Sequence, residues 1–307
     1  MPAQLGVHQP ADVLKTFGLG NAAEELMLRK RSRRLRQLAA LIATAVVLIS
    51  TGAFVPSPLA ANAPPKAAPP RKGAGPVQTQ GFLHRVYKDA GGNEARYVLF
   101  VPHSYSNKAN KLYPVILFLH GSGKTGTDGR KQATVGLGPV VKSREKKFPF
   151  FVVFPQAQKP SWLAQTDDAK RAMAILAEVE KKYKIDSKRI YLTGNSMGGR
   201  GTWSLAAAYP DKWAAIVPIC GRVDPNKGTA IEVDTSKAAV IKSLPCWCFH
   251  GSADQTITVK SSREMIAAIR KAGGKPKYTE YPGAGHNIWD RAYRTPDLFR
   301  WLLMQHR

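Results

Sequence analysis

The segment Ile190-Tyr191-Leu192-Thr193-Gly194-Asn195-Ser196-Met197-Gly198-Gly199 runs from a short, branched apolar stretch straight into Gly-x-Ser-x-Gly, and Trp203 to Ala208 follows with helical composition. A strand that turns this sharply into a helix holds its serine in a strained backbone conformation. Glycines two residues to either side let the flanking backbones pass, and the hydroxyl then projects above the sheet. The pattern alone arises often by chance, and a structural Gly-rich turn is the bland alternative. A match at a strand-to-helix junction is rare and favours Ser196 as a nucleophile.

Working outward, short apolar runs at Arg96 to Val101, Tyr113 to Leu119, Phe150 to Phe154, Ala215 to Ile219 and Cys246 to His250 read as buried strands, with another at Lys277 to Tyr281. Helices are predicted over Asp167 to Tyr183, Ser196 to Ala208, Ser261 to Ala272 and Pro296 to Leu303. The first of these carries Ala172, Ile175, Leu176 and Val179 at helical spacing, acids in its first turn, and Lys181, Lys182 and Lys184 near its end. Strands alternating with helices imply an α/β fold, a mostly parallel central sheet with helices on both faces. The strands ahead of the first long helix are expected to form an antiparallel edge. Ligands of such sheets bind at the carboxyl ends of the strands, where Ser196 falls.

A serine hydroxyl needs a base, and the base needs an orienting acid; the expected chain order is serine, acid, histidine. Downstream lie His250, His286 and His306. His306 is one residue from the end of the sequence, and His250 closes a strand, where it is expected to pack or hydrogen-bond locally. His286 sits in the Gly-rich loop Pro282 to Trp289, which can aim an imidazole at the serine. Among Asp211, Asp224, Asp234 and Asp254, only Asp254 follows a convincing buried strand; Asp224 is the runner-up. Donors for the developing oxyanion are expected from the backbone N–H of Met197 and from the turn Leu119-His120-Gly121-Ser122-Gly123, with Gly121 and Ser122 as candidates. The neighbouring Lys124-Thr125 lacks the Gly-x4-Gly-Lys-Ser/Thr spacing of a phosphate loop.

Trp162 and Trp289 are candidate substrate-binding residues, each weighed against ordinary packing. Cys220, Cys246 and Cys248 lack zinc-site spacing, and no metal site or cofactor is expected. Cys246 and Cys248 share one face of their strand and read as core; a disulfide to Cys220 is the lesser alternative.

The chain has 307 residues, 44% of them apolar and 22% charged, which excludes wholesale disorder, collagen and coiled coil. Its first 63 residues read as a basic segment, Arg29 to Arg36, followed by the apolar stretch Leu38 to Val55, a signal peptide with a cleavage site after Ala63 or an uncleaved membrane anchor through 38–55. A Pro-rich linker, 64–76, then leads to one catalytic domain, 77–307. Either reading of the leader places that domain outside the cytoplasm: periplasmic, secreted or anchored and facing outward. Lys and Arg total 46 against 21 Asp and Glu, a net +25. The first 63 residues hold seven of those cations and three of the acids, so +21 belongs to the exported part. With no nucleic-acid-binding signature there, nucleic acid is not an expected partner.

The chain resembles the α/β-hydrolase superfamily, and within it secreted esterases similar to feruloyl and acetylxylan esterases, polyhydroxybutyrate-depolymerase-like and dienelactone-hydrolase-like proteins. The resemblance rests on Tyr97 to Pro102, Tyr113 to Gly123 with Gly126 to Gly129, Gly194 to Gly201, Val217 to Gly221, His250 to Asp254 and Gly285 to Asp290. It implies that Ser196, Asp254 and His286 are nucleophile, acid and base. The expected activity is hydrolysis of a small-molecule or polysaccharide-linked carboxylic ester by a monomer. Two alternatives remain: a serine peptidase of the prolyl-oligopeptidase-like type on the same triad, and a non-catalytic envelope protein that binds glycans.

Overall fold

The structure is a computed structural model that describes residues 79–108, 110–223 and 234–307. The leader, the Pro-rich linker and Asp224 lie outside the described residues. Among the described residues, one sheet has eight strands in the order β1-β2-β4-β3-β5-β6-β7-β8. They are β1 Gly81–Lys88, β2 Glu94–Val101, β3 Tyr113–Leu119, β4 Phe151–Pro155, β5 Ile185–Asn195, β6 Ala215–Ile219, β7 Trp247–Gly251 and β8 Lys277–Tyr281. Every residue of β3, β4, β6 and β7 is buried, as expected of strands covered on both faces.

Seven helices are described: α1 Leu137–Ser143, α2 Asp167–Lys182, α3 Met197–Ala208, α4 Lys237–Ile241, α5 Lys260–Lys271, α6 Trp289–Tyr293 and α7 Leu298–Met304. Alternate residues of each strand feed two cores. Val115, Leu117 and Leu119 pack with Ile175 of α2, Trp203 of α3, Ile241 of α4 and Met265 of α5. Ile116 and Phe118 pack on the opposite face with Val140 of α1, Tyr293 of α6 and Trp301 of α7. The start of α2 is set by Thr166, whose side chain accepts from the Ala169 N–H, with Asp167 and Asp168 in the first turn and Lys181 and Lys182 in the last.

The antiparallel edge is narrower than expected. β1 pairs antiparallel with β2, and β2 with β4, but β3 runs parallel to both β4 and β5. The chain crosses from β3 to β4 through α1, and a crossover of this kind returns the next strand in the same direction. Among the described residues, no helix is long and apolar enough to cross a membrane.

Candidate active site

Ser196 lies between the end of β5 and the start of α3, with φ 56° and ψ −117°. Its N–H bonds to the Ile219 carbonyl at 2.9 Å, which ties the turn to β6. The two glycines of the motif serve different approaches. A Cβ at Gly194 would lie 2.5 Å from the carbonyl oxygen of Gly198, and one at Gly198 would lie 1.8 Å from that of Leu119. Any side chain at either position would force the turn apart.

The loops after β7 and β8 bring Asp254 and His286 to this serine. His286 Nε2 lies 2.9 Å from Ser196 Oγ, and His286 Nδ1 lies 2.7 Å from Asp254 Oδ2. A carboxylate can only accept, so Nδ1 carries the ring proton and Nε2 is left to accept from the serine hydroxyl. The Asp254 side chain is 0% exposed. Its Oδ1 accepts from the N–H groups of Thr256 at 2.8 Å and Ile257 at 2.9 Å. Burial by itself would raise its pKa, but the hydrogen bonds from His286, Ile257 and Thr256 outweigh burial and hold the carboxyl below its usual range.

Met197 opens α3, so its N–H belongs to the first turn, where backbone donors have no partner within the helix. Gly121 lies beside the serine, close enough that a Cβ there would lie 3.6 Å from Ser196 Cβ. Ser122 begins a short 3-10 turn, Ser122–Lys124. Buried His120 braces this loop: its Nδ1 donates to the Gly121 carbonyl at 2.8 Å and its Nε2 accepts from the Ala157 N–H at 3.0 Å. Burial pushes its pKa down to about 4, so the ring is neutral. Gln156 ties the next stretch, accepting from Gly129 N–H at 2.7 Å and donating to the Lys124 carbonyl at 3.1 Å. His120 and Gln156 were not singled out from the sequence; the signal that could have found them is their place at the carboxyl ends of β3 and β4.

Trp162 does not line a substrate pocket. It is 1% exposed, its indole N–H donates to the His120 carbonyl at 3.0 Å, and its ring stands edge-on to that imidazole beneath the loop. Trp289 stands edge-on to His286, with ring centroids 5.7 Å apart, and buttresses that imidazole. Asp211 and His306 border a cleft at the opposite end of the sheet, and Asp234 pairs with Lys237. The three cysteines are buried free thiols; Cys246 and Cys248 face one core and Cys220 the other. An open groove of about 450 Å³ lies beside His286, lined by Thr256, Asn287 and Arg291 among others. A larger cleft of about 650 Å³, between Lys142 and Phe299, holds none of the three hydrogen-bonded residues, so size alone does not mark the site. Among the described residues, no group of His, Cys, Asp and Glu is arranged to hold a metal ion.

The Phospholipase/Carboxylesterase family matches residues 155–295, a span that contains Ser196, Asp254 and His286. The chain is 31% identical over 152 residues to a bifunctional acetylxylan esterase/xylanase of Neocallimastix patriciarum, covering 46% of this chain and 21% of that protein. It is 29% identical over 220 residues to poly(3-hydroxyalkanoate) depolymerase C of Paucimonas lemoignei, covering 60% and 51%. The crystal structure of a thermostable esterase superposes with a TM-score of 0.63 at 32% identity, covering 74% of this chain and 63% of that one. The chain thus spans about half or less of the length of these two curated relatives. The sheet order, the serine at the strand-to-helix turn and these likenesses agree, and the chain has the α/β-hydrolase fold.

Proposed function

We propose that this protein is a serine hydrolase of carboxylic esters, with Ser196 as nucleophile, His286 as general base and acid, and Asp254 as the residue that orients and stabilises the imidazole. The observation that carries this reading is the hydrogen-bonded line from Ser196 Oγ through His286 to Asp254 at the carboxyl ends of β5, β8 and β7. The family match and the esterase relatives support an ester over an amide.

The reaction runs in two steps. His286 Nε2 takes the Ser196 proton as Oγ attacks the ester carbonyl, and the carbonyl oxygen gains charge beside the N–H of Met197 and those of Gly121 and Ser122. Protonated His286 gives its proton to the departing alcohol and leaves an acyl-serine. Water, deprotonated by His286, then releases the acid and restores the serine. These steps call only on the chain's own groups and water.

The substrate is a small-molecule or polysaccharide-linked ester, and the enzyme acts as an exported monomer. Export rests on the basic run and the apolar stretch 38–55, which serves as signal or anchor. The +21 on the exported part favours retention near anionic surface polymers, and added salt is expected to weaken that retention.

The test compares turnover of p-nitrophenyl acetate and methyl ferulate with that of a peptide anilide, in the wild type and in Ser196→Ala. Ester turnover abolished by the substitution is expected. Faster anilide cleavage would replace the ester reading with a peptidase, and undiminished turnover in Ser196→Ala would remove Ser196 as nucleophile.

A further inference from the structure

His250 stands near the end of β7, its side chain 0% exposed, four residues before Asp254. Its Nε2 lies 3.1 Å from Asp254 Oδ2 and 3.0 Å from the Ile257 carbonyl oxygen. Both are acceptors, so Nε2 carries the ring proton. Burial pushes the imidazole below its usual range, so the ring is neutral and Nδ1 must accept. Ser262, buried on α5, supplies the matching donor at 2.7 Å, and its oxygen accepts in turn from the Cys248 thiol at 3.4 Å. Donors therefore run in one direction, from Cys248 through Ser262 and His250 into Asp254 Oδ2. From the other side, Ser196 donates to His286, which donates into the same oxygen.

The two oxygens of Asp254 are held by different means. Oδ1 is fixed by backbone N–H groups of its own loop. Oδ2, the oxygen that faces His286, has a strand residue as its second partner, and a carboxylate secured at one oxygen alone is free to pivot about it. An apolar side chain of similar volume at 250 would fill the space and supply no donor.

We propose that His250 is a positioning residue for the acyl-transfer reaction: with its Nε2 proton set by two acceptors and its Nδ1 satisfied by Ser262, it holds Asp254 Oδ2 in the line that orients His286. This role rests on the reading of Ser196 as nucleophile.

Three variants separate it from packing: His250→Leu, His250→Gln, which keeps an N–H donor near the place of Nε2, and Ser262→Ala. Two readouts are taken, steady-state hydrolysis of p-nitrophenyl acetate and the second-order rate at which a fluorophosphonate labels Ser196. The label reports activation of the nucleophile with no assumption about the natural ester. His250→Leu is expected to lower kcat and the labelling rate about tenfold with KM changed by less than about twofold. His250→Gln is expected to recover both to within about threefold of wild type, and Ser262→Ala to fall between the two.

Wild-type kcat and labelling in a folded His250→Leu protein would overturn the proposal. So would equal losses in the Leu and Gln variants accompanied by equal drops in melting temperature, the pattern of a packing role. If His250→Leu does not fold, Ser262→Ala decides: a lowered kcat at unchanged KM supports the role, and unchanged kcat and labelling overturn it. A wild-type protein that neither labels at Ser196 nor turns over ester removes the nucleophile reading itself, and the role of His250 with it. Labelling of the wild type with no effect in the variants removes the positioning role alone.

Discussion

His286 Nδ1 meets Asp254 Oδ2 at 2.7 Å on the side of the ring away from Ser196, and this contact decides which nitrogen faces the serine. Asp254→Asn places an amide where the carboxylate stood. An amide N–H turned toward Nδ1 favours the tautomer with the proton on Nε2, which cannot accept from the serine. kcat is expected to fall by about a thousandfold or more with little change in KM, the scale seen when a Ser-His-Asp site loses its acid this way. Steady-state kinetics on p-nitrophenyl acetate, with circular dichroism to confirm folding, checks it; a loss below about tenfold would contradict the role of Asp254.

Gly198→Ala tests the turn around the serine. The added methyl would overlap the Leu119 carbonyl, a backbone group, and relief comes only if β3 and α3 separate. A loss of stability of at least about 3 kcal/mol is expected, at the upper end of overpacking costs. Urea unfolding measures it, and a midpoint equal to wild type would show that the turn relaxes freely.

Acid should destabilise the domain already between about pH 6.5 and 4. The folded protein holds His120 down at about 4, against an ordinary value near 6.5, because burial disfavours the cation. Between those values the unfolded chain binds a proton that the folded one does not. Stability is therefore full above about pH 6.5, falls as the pH drops toward 4, and receives no further change from this group below that. The loss from His120 is about 3 kcal/mol, and buried His250, also pushed down, adds in the same direction. Unfolding midpoints at pH 7.5, 6, 5 and 4 test this; a flat profile would refute it.

Trp162→Phe keeps the ring beneath the His120 loop and removes the indole donor. The His120 carbonyl then loses a buried partner, at a cost of about 1 to 3 kcal/mol. Stability is expected to drop while the order of preference among acetyl, butyryl and octanoyl esters stays as in wild type. A changed chain-length preference would put Trp162 in the acyl pocket after all.

The three residues of the hydrogen-bonded line were legible in the sequence because each stands just beyond a strand whose apolar run is unmistakable. Gly194 and Gly198 announce the turn, and Asp254 and His286 sit in short polar or Gly-rich segments after β7 and β8. Where packing overrides composition, the sequence is silent. α1 contains Gly138 and Pro139, poor helix formers, and is helical because Leu137, Val140 and Val141 are buried against the sheet. That crossover sets β3 parallel to β4, and nothing in its composition signals it, so the sequence reads as a wider antiparallel edge than the one that forms. β1 pairs only with β2 and is buried only at Gly81 and Leu83, with His84, Val86 and Lys88 exposed, so it carries no apolar run. For Trp162, position in the chain does not tell which side of a loop the ring takes. Ser262 gives no signal by spacing, since its partner His250 lies on another element.

The strand order carries a consequence for how the protein comes to life. Ser196 and Asp254 follow β5 and β7, two strands inside the sheet, but His286 follows β8, an edge strand hydrogen-bonded to β7 alone. During refolding the central strands can pair and the turn around Ser196 can form before His286 is in place. On the proposed reading of Ser196 as nucleophile, reactivity is expected only once the edge strand docks and brings its imidazole to the hydroxyl. The hydroxyl of Ser196 thereby acts as a clock for the final closure of the sheet, and a pulse of fluorophosphonate reads the time.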